Sequence, residues 1–74
     1  MNTPEKLREA LADVIAKHTE ASGTYDVLHA DWHSAAAKGD DKTADKLEAD
    51  MEKAARVLQR LEVQRDALVS QIND

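Results

Sequence analysis

The sequence predicts an all-α protein, two long helices folded back on each other as an antiparallel, coiled-coil-like hairpin. Apolar residues recur in unbroken steps of three and four along two stretches of the chain. A single Lys38-Gly39-Asp40 break separates those stretches. The composition is helical, with two glycines, one proline, no phenylalanine and 34% charged residues among 74. A chain of this length makes one domain at most. The expected limits are helix 1 over about 4–38, a turn at 39–41 and helix 2 over about 42–72.

The first helix opens at Thr3-Pro4. Thr3 is placed to cap the free amides, and Pro4 suits the first helical position because its missing N–H would be unpaired there anyway. Glu5 and Glu9 put negative charge near the positive end of the helix dipole. The seam then runs Leu7, Leu11, Val14, His18, Ala21, Tyr25, Leu28, Trp32 and Ala35. Lys38 sets a cation at the negative pole, and Gly39 is free to take the left-handed conformation that ends a helix. Asp40 or Asp41 caps the second helix. Its seam is Ala44, Leu47, Met51, Ala54, Leu58, Leu61, Arg65, Leu68 and Ile72. At ~1.5 Å per residue each rod is roughly 45–50 Å long.

Folding at Gly39-Asp40 lays the seams against each other. The layers are Ala35/Ala44, Trp32/Leu47, Leu28/Met51, Tyr25/Ala54, Ala21/Leu58, His18/Leu61, Val14/Arg65, Leu11/Leu68 and Leu7/Ile72. Large residues meet small ones in several layers, which keeps the interaxial distance even. Ser22-Gly23-Thr24 resists, being three poor helix formers in a row. A break at 22–24 would give a three-helix bundle instead. The heptad passes through this segment in register with Gly23 outermost, so a continuous helix, bent if anything, is the expectation.

Net charge is −5, which argues against a general nucleic-acid binder, because such binding rests on neutralising phosphates. The absence of cysteine excludes disulfides and cysteine-ligated metal sites. The stretch from Met1 to Glu5 has no cationic region leading into an apolar run, and no stretch approaches the ~20 residues of a membrane span. The expectation is a cytoplasmic protein without membrane association.

So short a chain buries little apolar surface alone, which points to self-association. The hairpin has two flanks. The first carries Ile15, Ser22, His29 and Ala36 with Glu48, Ala55, Glu62 and Val69. The second carries Lys17, Thr24, Asp31 and Lys38 with Thr43, Asp50, Val57, Gln64 and Gln71. The first is richer in apolar and small residues and is the expected homodimer face, giving a four-helix bundle. In topology the chain resembles the Rop family of plasmid-copy-number regulators, helical hairpins that dimerise into a bundle and contact RNA loops. The resemblance implies dimerisation and an RNA partner, but it rests on no residue motif and so carries no site. The Trp-x-Gly turn of the WXG100 secretion substrates is not matched, since Trp32-His33-Ser34 lies well before Gly39.

Asp26, His29 and His33 are the candidate metal ligands, because spacings of three and four place them on adjacent turns of one face. The commoner outcome for such a trio is a set of surface side chains, and no resident metal or cofactor is expected. His18 and Arg65 are polar residues in the seam, suited to fixing register at a cost in stability, and Arg65 has water or Glu62 within reach of its head group. Lys42, Lys46, Lys53, Arg56 and Arg60 form a cationic strip on the outer side of helix 2. Acidic Asp45 and Glu52 border it and no aromatic is interleaved, which favours a solvated face over an RNA contact.

No cysteine nucleophile, glycine-rich phosphate loop or Ser/His/acid set is present, and a two-helix hairpin offers no enclosed pocket for a small-molecule substrate. The sequence thus points to a non-catalytic interaction module, an adaptor, regulator or inhibitor of the kind found among bacterial and bacteriophage accessory proteins. It would act as a homodimer and bind another protein through Val57 and Val63. An RNA-binding regulator using Lys53, Arg56 and Arg60 is the alternative, and a metal-responsive module the third reading.

Overall fold

Two rods of nearly equal length, α1 (Pro4–Ala37) and α2 (Asp41–Asn73), run antiparallel in the computed structural model, which describes residues 4–73. Their 34 and 33 residues give a body 54 Å long with a cross-section of 15 × 14 Å. Thr3, the expected cap of α1, lies outside the described residues.

The turn follows from Gly39, whose φ of +74° is the left-handed conformation that costs an L side chain energy and glycine nothing. With the chain reversed there, the Asp40 N–H donates to the Ala35 carbonyl at 2.9 Å and the Gly39 N–H to Ala36 at 3.1 Å. These bonds satisfy carbonyls that the end of α1 would otherwise leave open. Asp40 then caps α2, its Oδ1 accepting from the Thr43 N–H at 3.3 Å. A side-chain hydrogen bond with Thr43 first, this backbone bond second and Lys38 more weakly hold the Asp40 carboxyl below its ordinary pKa of 3.8.

The three-helix alternative is not what the chain adopts, because α1 passes through Ser22-Gly23-Thr24 without a break. The Thr24 hydroxyl donates to the Glu20 carbonyl at 3.2 Å, so this poor helix former satisfies its own side chain within the helix. Thr19 does the same to Ile15 at 3.0 Å. Gly23 lies on the outside, where a Cβ would meet nothing within 4 Å. Its cost is intrinsic propensity alone, about 1 kcal/mol, which the packing on either side outweighs.

Every seam residue of both helices is buried or half-buried, and among the other described residues only Ser22 and Asp50 are. Yet the most buried, Leu7, Val14, Ala35, Ala44 and Leu61, still expose 7–9% of their surface, and no described side chain is fully enclosed. Two helices in contact cover only one side of each seam, so neither flank is fully enclosed. No helix among the described residues is long and apolar enough to cross a membrane.

Candidate functional site

The two flanks differ in what reaches across them. On the first, α2 sends long acidic side chains over the seam. The Trp32 indole Nε1–H donates to Glu48 Oε1 at 2.9 Å. About four helical turns away, Glu62 Oε1 approaches His18 Nε2 to 3.5 Å. The His18 nitrogen is enclosed but makes no hydrogen bond, so this is a contact of opposite polarity and not a formed bond. Aromatic rings run along the same flank. His29 stacks on Tyr25 with centroids 6.4 Å apart and tilts against Trp32 at 6.0 Å. Of the residues expected to form the self-association face, Ile15, His29, Ala36, Ala55, Glu62 and Val69 are exposed and Ser22 is half-buried, with His29 and Glu62 taking part in the contacts just described.

The second flank has no such cover. Ala21 and Ala54 are too short to fill the space beside the seam. With Lys17, Glu20, Thr24, Val57 and Leu61 they line a groove of about 370 Å3. Its floor is apolar. Val57 keeps 46% of its surface exposed there, a value that marks the groove as open. Toward the turn, a second hollow of about 310 Å3 continues along the same flank between Asp31, Ala35, Thr43 and Leu47.

Asp26, His29 and His33, the candidate metal trio, lie on one side of α1 without forming a metal-binding cluster. Among the described residues no three His, Cys, Asp or Glu side chains converge as a metal site, and the imidazole of His29 packs against the rings of Tyr25 and Trp32. The expected partner of Arg65 changes. Its guanidinium reaches the neighbouring Asp66, with Nε 3.2 Å from Oδ1, while Glu62 serves His18. His18 and Arg65 lie in neighbouring layers but do not bond each other.

On the outer face of α2, Arg56 pairs with Glu52 at 2.9 Å, the i,i+4 pair its spacing implies. Arg56, Gln59, Arg60, Val63 and Gln64 surround a shallow hollow, and Val63 exposes 64% of its surface beside them. Val27, exposed to 61% on α1, was not singled out by sequence reasoning. An aliphatic residue outside an otherwise complete seam is the signal that finds it. The Trp32–Glu48 bridge was missed as well, although an acid flanking the layer that faces a seam tryptophan foreshadows it.

The arrangement defines a two-helix, coiled-coil-like hairpin with one bridged and one open flank. No protein-family model matches the chain, and neither the curated proteins nor the solved structures with which it was compared contain one similar to it.

Proposed function

We propose that the protein is a non-catalytic interaction module that works by docking its helical faces against other helices, a second copy of itself among them. The observation that carries this reading is the surface. The chain exposes 5596 Å2 at a mass of 8.2 kDa. Monomers of that mass ordinarily expose about 4,500 Å2. The difference, roughly 1,000 Å2, has the size of one partner's share in a stable protein interface. Ile15, Val27, Val57, Val63 and Val69 stand exposed on that surface as aliphatic anchors.

A hairpin suits this role because its backbone bonds are closed within each helix, so the exposed faces are made of side chains alone. Partner choice then rests on the pattern of aliphatic and charged residues. Photo-crosslinking in the producing cells tests the reading. A benzoyl-phenylalanine at Val63 on the outer face is expected to capture a discrete protein, and Val63→Asp is expected to abolish copurification of that protein. Capture of nothing at Val63 or Val57 refutes the reading. Capture of RNA, lost on reversing Lys53 and Arg56, replaces it with a phosphate-contacting one.

A further inference from the structure

We infer that the open flank, centred on Ala21, Ala54, Val57 and Leu61, is the seat of a second copy of this chain, held about a two-fold axis parallel to the helices so that both turns lie at the same end of a four-helix bundle. The inference rests on the interaction-module reading and names the partner, the face and the symmetry.

Two observations select this face, and its size suits the role. The apolar groove lies on it, whereas the opposite flank is already crossed by Trp32–Glu48 and by Glu62 against His18. The small Ala21, Ala54 and Thr24 side chains let another helix approach closely, and Val57 and Leu61 give it apolar surface to cover. The face is 54 Å long and 15 Å wide, roughly 800 Å2, which is the per-partner area of an ordinary stable complex.

Charge selects the symmetry. Between residues 13 and 38, heptad geometry puts Asp13, Lys17, Glu20, Asp31 and, at the turn, Lys38 along the part of this flank that α1 contributes, and Lys46, Asp50, Lys53 and Arg60 along the part of α2. Asp13 is paired with Lys17 of its own helix at 3.0 Å. Glu20 and Asp31 on α1 and Lys46, Lys53 and Arg60 on α2 make no ion pair within the described chain, which leaves the middle of the α1 rim acidic and the α2 rim net basic. A two-fold axis across the rods would lay α1 on the partner's α1 and the unpaired cations Lys46, Lys53 and Arg60 of α2 on their own counterparts. An axis along the rods lays each α1 on the partner's α2, so that the unpaired Glu20 and Asp31 of each copy meet the unpaired cations of the other, twice over. Such an axis preserves height along the bundle. Ala21 and Leu58 share a layer, so Glu20 of one copy comes level with Arg60 of the other, and Asp31 falls between Lys46 and Lys53.

Sedimentation velocity of the full chain over about 1–100 µM tests the assembly, with a dimer expected; a folded monomer at about 100 µM overturns it. Rim reversals test the face and the symmetry. Glu20→Lys and Arg60→Glu each turn two attractive contacts per dimer into repulsive ones. Each is expected to weaken the dimer about 30-fold, or about 2 kcal/mol at 1.4 kcal/mol per tenfold. The double variant is expected to recover most of that loss. Both residues are exposed, and unchanged far-UV circular dichroism separates lost association from lost folding. Singles and double all as tight as the parent, or a dimer broken by Ala55→Arg on the bridged flank and not by Glu20→Lys, overturn the assignment. Nitroxides at residue 38 should lie within about 20 Å of each other across the bundle. A separation near the 54 Å length of the body overturns the symmetry. A monomer that still captures its cellular protein through Val63 removes the dimer alone. A dimer that captures nothing removes only the wider reading.

Discussion

The two glycines should respond to alanine with opposite signs. Gly23 sits in continuous helix, where an added Cβ meets nothing within 4 Å and φ is not positive. Alanine there improves helix propensity and removes freedom from the unfolded chain, for a gain of about 1 kcal/mol. Gly39 also has room for a Cβ, but its φ of +74° is costly for any L side chain. Alanine there should destabilise by about 1–2 kcal/mol. At about 2.1 cal/mol/K per residue, a chain of 74 residues has an unfolding entropy near 155 cal/mol/K. One kcal/mol then moves Tm by about 6 °C. Thermal unfolding followed by circular dichroism, with all variants at one concentration because association couples to Tm, should show Gly23→Ala about 6 °C above the parent and Gly39→Ala at least as far below it. A loss of stability in Gly23→Ala would mean that α1 breaks at that residue, and a harmless Gly39→Ala would mean that the turn is not left-handed.

Further outcomes follow from the same geometry. Asp40→Ala should lower Tm at neutral pH, while Asp40→Asn keeps most of the cap. Because folding lowers the Asp40 pKa, its contribution is complete above 3.8 and fades as pH falls through the lowered value. The Tm gap between parent and Asp40→Ala should therefore close in acid; a gap that widens there contradicts the cap. His18→Leu should stabilise the hairpin by about 1 kcal/mol, since it replaces an enclosed nitrogen that lacks a hydrogen bond with seam-filling carbon. Urea titration reading a loss would show that His18 has a partner the hairpin depends on. Glu48→Ala should release the indole of Trp32, shift its emission to the red and cost about 1 kcal/mol; an unchanged spectrum would refute the bridge.

The seam was legible in the sequence because it depends only on spacing. Each residue placed there by steps of three and four, from Leu7 to Ile72, is buried or half-buried. The turn was legible because Gly39 and Asp40 each have one conformational preference to express, and Asp40 proved to be the cap over Asp41. The helix bounds moved by one residue at Lys38, Asp41 and Asn73. The character of the flanks was not legible. Counting apolar residues favours the side of Ile15, Ala55 and Val69 as the self-association face. What counting leaves out is reach. Glu48 and Glu62 are long enough to extend across to Trp32 and His18, while Ala21 and Ala54 are too short to close the other side. Asp26, His29 and His33 show a related limit. Helical spacing brings side chains to one face without making them converge, and the imidazole of His29 found aromatic neighbours on that face.

The claim beneath all of this is that α1 is a single rod running past Gly23 to the turn. Ala12 and Ala37 are both exposed on it, and nitroxides attached there report its length by pulsed electron resonance, with labelled chains diluted in unlabelled protein. The account predicts one distance near 38 Å, the rise of 25 helical residues at about 1.5 Å each. A distance near 20 Å or below would show the rod folded at Ser22-Gly23-Thr24 and would contradict the hairpin, its flanks and the dimer built on them.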